Sequence, residues 1–319
     1  MAKDYLRMFN RFFGNSNRMA STYKPVFLRA LLDVADLDGT RRLAGERWLE
    51  RKDGKLVIDL NFIAARFAKY YWDMEYSFRL RQSQDRQDAN ITRLVKAAHK
   101  EGDKPPTIEV MASEEMDEFR KRVIKMSIKP EVLVHLLTDM KGLYVKTGPS
   151  TIQLDDDIIE FLRGHRVLLK QGINNVLARY LEKLNRMTPQ ITSKIEGEPT
   201  GRKALGSIAQ EKMKKWQDSR CFYCEDKFSK PHVDHVIPHN YVFATDLYNC
   251  TLACQQCNCT KSDMLPEKDI FEKVVERNRG IPQCLKKFKP GYSEESYRLL
   301  FDTCIKEYNG DEFFTPRIR

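Results

Sequence analysis

The chain has 319 residues, with 55 Lys and Arg against 45 Asp and Glu, a formal net charge of +10 and an isoelectric point near 9.1. No run of eighteen or more apolar residues occurs, and Met1-Ala2-Lys3-Asp4 leads into a charged amphipathic segment, which argues against a membrane span and a secretory signal and for a cytoplasmic protein. The charge favours a polyanionic partner, and the length supports two domains.

The first two hundred residues read as mainly helical. Asp4 to Phe13 carries Tyr5, Met8, Phe9, Phe12 and Phe13 at helical spacing, and Ser21-Thr22-Tyr23-Lys24-Pro25 is a cap-and-proline start for Val26 to Val34. Leu60 to Phe78 predicts a long helix with Phe62, Phe67, Tyr70, Tyr71, Trp72 and Tyr76. A stripe this dense reads as core or a dimer face before a base-stacking platform. Gly102-Asp103-Lys104-Pro105-Pro106 breaks the pattern, Met111 to Met126 resumes it, and Gly142 to Leu154 predicts a small β excursion. Asp155-Asp156-Asp157 places acids on the first turn of a helix from Ile158, favourable against its dipole, and helical periodicity runs on to about Arg186. Pro189 and Gly197-Glu198-Pro199-Thr200-Gly201 mark a linker. The expected division is a helical domain over 1–195, serving target recognition, dimerisation or partner binding, a linker over 196–212, a compact core over 213–266 and a helical extension over 267–319. His99, His135 and His165 have no acidic or cysteine companions at ligand spacing and read as packing or surface residues.

All eight cysteines lie in the last hundred residues. Cys221-Phe-Tyr-Cys224 and Cys254-Gln-Gln-Cys257 are two CxxC pairs, each holding two thiolates on one tight turn, so that two facing turns give a closed tetrahedral Zn²⁺ site of structural type. Cys259 is the alternative to Cys257, and Cys250, Cys284 and Cys304 read as reduced packing residues. Between the pairs sits Val233-Asp234-His235-Val236-Ile237-Pro238. On a strand the Asp and His side chains would point to opposite faces unless the strand ends there, which predicts His235 at a strand end. Asn249 lies fourteen positions after His235 and opens Cys250-Thr251-Leu252-Ala253, a candidate second strand. Asn258 follows nine positions later, with Lys261 on the same face if a helix begins near the second pair. The expected unit is strand, loop, strand, helix.

Residues 216 to 266 thereby resemble the HNH, or ββα-metal, endonuclease family in its zinc-stapled, four-cysteine branch. The resemblance matches His235 to the family's first histidine, Asn249 to its central asparagine and Asn258 to the final histidine, where Asn is an accepted variant. A neutral oxygen ligand in place of an imidazole favours a hard ion, Mg²⁺ or Mn²⁺.

The chemistry of the residues runs the same way. Phosphodiester hydrolysis needs a water deprotonated in line with the leaving oxygen, and a neutral imidazole suits that task near pH 7, which assigns His235 as general base. Asp234 and Asn258 are the expected ligands of one divalent ion. Asn249 can tie the loop to the backbone beside His235, and Lys261 is expected to meet a substrate phosphate. His232 and His239 flank the site and read as solvated or phosphate-neighbouring residues rather than as a second base.

The predicted fold class is therefore mainly α with a small α+β domain: a helical N-terminal domain and a ββα-metal nuclease with structural zinc. The predicted partner is DNA, double-stranded rather than single-stranded, with homodimers or partner subunits formed through the N-terminal domain. Residues 1–200 carry 35 Lys and Arg against 28 Asp and Glu, and residues 201–319 carry 20 against 17. Two denser basic runs, Arg202, Lys203, Lys212, Lys214, Lys215 and Arg220 before the core and Lys286, Lys287 and Lys289 after it, are candidate phosphate contacts. By analogy the setting is a prokaryotic restriction or phage-defence effector. The alternatives are a nuclease subunit silent until activated and a zinc protein that binds nucleic acid without cutting it.

Overall fold

The structure is a computed structural model that describes residues 4–14, 19, 21–37, 47–83, 88–100, 105–196, 205–286, 292–309 and 312–316. The chain divides into two compact units, Met1–Arg186 and Met187–Arg319. It is mainly helical with small sheets, as the sequence predicts. Among the described residues no helix is long and apolar enough to cross a membrane. The Gly102–Lys104 break, the whole Gly197–Gly201 stretch, and Arg202, Lys203, Lys287 and Lys289 lie outside the described residues, as does the side chain of Lys286.

In the first unit, helices Tyr5–Gly14, Tyr23–Leu37, Leu60–Trp72, Asp156–Gly164 and Arg166–Leu184 bury Phe9, Phe27, Leu31, Phe62, Phe67, Ile159 and Leu181. The aromatic stripe is thus core: Phe62, Phe67, Tyr71 and Trp72 are buried, and Phe67 packs on Tyr71 at 4.9 Å between ring centroids. The predicted helix to Phe78 holds α geometry only to Trp72 and widens over Asp73–Ser77. The predicted run from Ile158 to Arg186 breaks at His165 into two helices, the second packed so closely on helix Tyr5–Gly14 that a Cβ on Gly172 would stand 2.6 Å from the Phe13 ring. His165 stacks on Phe161 and His99 on Tyr76, while His135 is exposed.

The β excursion is larger than expected. Val145–Lys146 and Thr151–Asp155 join Leu49–Lys52 and Lys55–Asp59 in a four-stranded antiparallel sheet, with the two early strands at one side of Thr151–Asp155. The early hairpin turns at Asp53-Gly54, both left-handed with φ of 50° and 69°, the dipeptide that a two-residue hairpin turn demands. Asp59 then ends the strand and caps helix Leu60–Trp72, its side chain accepting from the Asn61 N–H at 2.8 Å.

The second unit extends beyond the predicted core at both ends. Helix Ile191–Glu196 belongs to it: the buried Lys194 Nζ donates to the carbonyls of Pro189 at 2.8 Å and Tyr241 at 2.6 Å. Residues 205–212 are not a linker, because helix Ser207–Trp216 buries Ala209 and Met213 against Cys250, Leu252 and Leu285. Nor are residues 267–319 an appendage. Helices Lys268–Arg279 and Glu294–Cys304 bury Phe271, Val274, Tyr297 and Phe301 against Val236, Ile237 and Tyr241, and Phe313–Phe314 pairs in parallel with Leu265–Pro266. The Phe271 and Phe301 rings stack at 3.8 Å.

Candidate active site and metal centre

The two CxxC turns face each other. The first closes with the Cys221 N–H donating to the Asp226 carbonyl at 2.9 Å and the Glu225 N–H to the Cys221 carbonyl at 3.0 Å, Glu225 adopting φ of 62°. In the second, Cys254 caps helix Gln255–Lys261, its sulfur accepting from the Cys257 N–H at 3.4 Å. The four sulfurs of Cys221, Cys224, Cys254 and Cys257 lie within 4.8 Å of one another, with Cys224 and Cys254 3.9 Å apart. Thiolates about 2.3 Å from one tetrahedral ion stand roughly 3.8 Å from each other, so the set fits zinc with every position filled by protein. Cys259 is exposed and outside the cluster; Cys250 is buried, and burial pushes its thiol up to about 12, the state of a packing residue.

Beside this centre, His232–His235 pairs antiparallel with Cys250–Ala253, in the register His235 opposite Cys250 and Asp234 opposite Thr251. The strand ends at His235, as expected. Pro238 follows at the start of the short helix His239–Val242 and removes a backbone donor from the chain just beyond the strand. Helix Gln255–Lys261 approaches the same strand. Asp234, His235, Pro238 and His239 from the first side, with Asn258, Cys259, Ser262 and Asp263 from the second, line a cavity of about 250 Å³. The His235 ring meets the His239 ring edge-on at 5.0 Å, and its Nε2 lies 3.3 Å from the Thr245 hydroxyl.

Asn249 is buried and bonded on all sides. Its Oδ1 accepts from the Ile237 N–H at 2.9 Å and from the Tyr297 hydroxyl at 3.0 Å, its Nδ2 donates to the Ile237 carbonyl at 2.9 Å, and its own carbonyl accepts from Val236. This is the tie beside His235 that the sequence suggested, with Tyr297 as a further member.

Lys261 departs from expectation. The helix forms and Asn258 lines the cavity, but Lys261 is fully buried and its Nζ lies 3.2 Å from Asp234 Oδ2 while donating to the His235 carbonyl at 2.7 Å. A lysine so spent has no reach to a phosphate; its flexible stem carries the ammonium beneath the strand, where it offsets a buried carboxylate. Asp234 is 5 % exposed, and burial raises its carboxyl above the ordinary value against the opposing pull of Lys261 and Tyr223. The Tyr223 hydroxyl donates to the same Oδ2 at 2.5 Å; burial pushes that phenol well above its usual range, so it stays a donor. Both partners therefore meet Oδ2, and among the described residues Oδ1 has no protein hydrogen-bond partner in a residue that lines the cavity.

The donor set, one carboxylate oxygen and the Asn258 amide in the same cavity, suits a hard divalent ion that keeps most of its coordination for water and phosphate. Sequence reasoning overlooked Tyr223 and Tyr297. Tyr223 carried a local signal, since a CxxC turn fixes the direction of the residue before its second cysteine. Of the basic runs, Lys212 and Arg220 hold backbone carbonyls, of Cys284 at 3.2 Å and Glu225 at 3.0 Å.

Residues 221–264 match the family model described as HNH endonuclease, the segment that carries both the cysteine cluster and the cavity. No curated protein and no solved structure matches the chain.

Proposed function

We propose that this HNH endonuclease segment is catalytically active and hydrolyses phosphodiester bonds of DNA, double-stranded DNA in particular, with Mg²⁺ or Mn²⁺ at Asp234 and Asn258. The observation that carries the reading is the shared cavity: His235 and Asp234 from the strand and Asn258 from the helix that carries Cys257 of the sulfur cluster open onto one space. His235 takes the proton of the attacking water, an imidazole being suited to that transfer near neutral pH. Asp234 and Asn258 hold the ion, which when bound supplies Lewis-acid stabilisation to the charge developing on the phosphate. Asn249 keeps the segment after His235 in one conformation, so that the imidazole needs no ordering when substrate arrives. The net charge of +10 supports a polyanionic substrate.

The test is cleavage of supercoiled plasmid by the purified chain in a series of divalent metals, beside His235→Ala. Cutting that requires Mg²⁺ or Mn²⁺ and disappears in the variant supports the reading; a wild type that binds DNA without cutting in any metal favours the non-catalytic zinc protein. A second reading, a nuclease silent until engaged, draws on the separate Met1–Arg186 unit, which none of the chemistry above uses. Cutting that appears only when an activator is added would favour it. The setting we propose, restriction or phage defence, has the resemblance as its sole support.

A further inference from the structure

We infer that Tyr223 and Lys261 are positioning residues that hold the Asp234 carboxylate in one rotamer and so set the affinity of the cavity for its divalent ion. This rests on the proposed role of Asp234 as a ligand. Tyr223 sits inside the first cysteine turn, between Cys221 and Cys224 in sequence, and its ring packs edge-on against Phe222 and Phe314 at 5.6 and 5.2 Å. The turn therefore fixes the phenol, and the phenol donates to Asp234 Oδ2 at 2.5 Å. Lys261 reaches the same oxygen at 3.2 Å and is itself held by the His235 carbonyl at 2.7 Å. Two donors on one oxygen hold the carboxylate against rotation about the Cβ–Cγ bond and leave Oδ1 for an ion in the cavity that Asp234 lines. A ligand held this way does not have to be ordered when an ion arrives, and loss of such outer partners typically weakens a metal site about 10- to 100-fold. The cysteine cluster is thereby joined to the reaction centre through one side chain.

The experiment measures Mn²⁺ binding to the full, zinc-loaded chain by water-proton relaxation in the absence of DNA, for the wild type, Asp234→Asn and Tyr223→Phe. Tyr223→Phe keeps the ring packing and loses only the hydroxyl. The expected result is abolished binding in Asp234→Asn, binding weakened about tenfold in Tyr223→Phe with zinc content unchanged, and a matching rise in the Mg²⁺ concentration needed for half-maximal cleavage while the rate at saturating Mg²⁺ recovers. Wild-type binding by Asp234→Asn would overturn the ligand role of Asp234 and the clamp with it. Lost binding in Asp234→Asn beside unchanged binding in Tyr223→Phe overturns the clamp alone. Should Tyr223→Phe shed zinc, a crystal structure of the wild type with Mn²⁺ decides: an ion on Oδ1 with Tyr223 still on Oδ2 upholds the clamp, and an ion spanning both oxygens refutes it.

Discussion

Asn249 grips Ile237 by both ends of its backbone, accepting from its N–H and donating to its C=O, each at 2.9 Å, two residues beyond His235. Asn249→Ala removes both bonds and strands the Tyr297 hydroxyl in the core. The expected cost is about 2–4 kcal/mol of stability, read by chemical denaturation, because buried backbone groups lose their partners. Cleavage should fall about 10²-fold in the fraction that remains folded, the general base being displaced.

Replacing Cys224 or Cys254 by Ser should release zinc and unfold the second unit, since a structural zinc site contributes roughly 10–16 kcal/mol to folding. Cys254 stands in the sulfur cluster and also caps the helix that carries Asn258, so its loss should fray that helix too. Metal analysis with circular dichroism checks this; a wild type without zinc would refute the cluster assignment.

His235→Ala should lower hydrolysis by ~10² to 10⁴, the range for losing a general base, while zinc content and DNA affinity stay at wild-type level. Cleavage unaltered by the substitution would move the active centre elsewhere.

Asn258→His should shift metal preference from Mg²⁺ toward Ni²⁺, Co²⁺ or Zn²⁺, because imidazole suits borderline ions, and Asn258→Ala should abolish activity in every metal. If Asn258→Ala cleaves normally in Mg²⁺, the other oxygen donor is Asp263, which lines the same cavity.

Lys194 predicts a pH effect. Burial lowers its amine from 10.5 to about 7, and the two carbonyls it meets are the complement of a neutral amine's two hydrogens. Between those values the unfolded chain binds the extra proton, so stability of the second unit should rise with pH from about 7 toward 10.5 and be lower beneath that window. Lys194→Met should flatten this dependence, as measured by melting temperature across pH 6 to pH 9. A wild type whose melting temperature stays level or falls over that interval contradicts it.

The cysteine cluster and the strand end at His235 were legible because both are set by local spacing: two thiols per turn, and a strand that cannot continue into Pro238. The hairpin at Asp53-Gly54 was equally local, yet the surrounding helical periodicity outweighed it. Lys261 misled because helical spacing fixes where a side chain starts but not where a long flexible one ends. Tyr297 could not be read at all, since it meets Asn249 across 48 positions of chain and only the packed core brings them together.

Phe314 packs against Tyr223, and its strand pairs with Leu265–Pro266. On the ribosome, the cysteines, His235 and Asn258 emerge well before residue 314, but Phe314 behind Tyr223 and the Tyr297 hydroxyl that meets Asn249 come later. If the segment cuts DNA as proposed, nascent or prematurely stopped chains should therefore be harmless to the DNA of the cell that makes them, the proposed activity waiting until synthesis has passed the last aromatic pair.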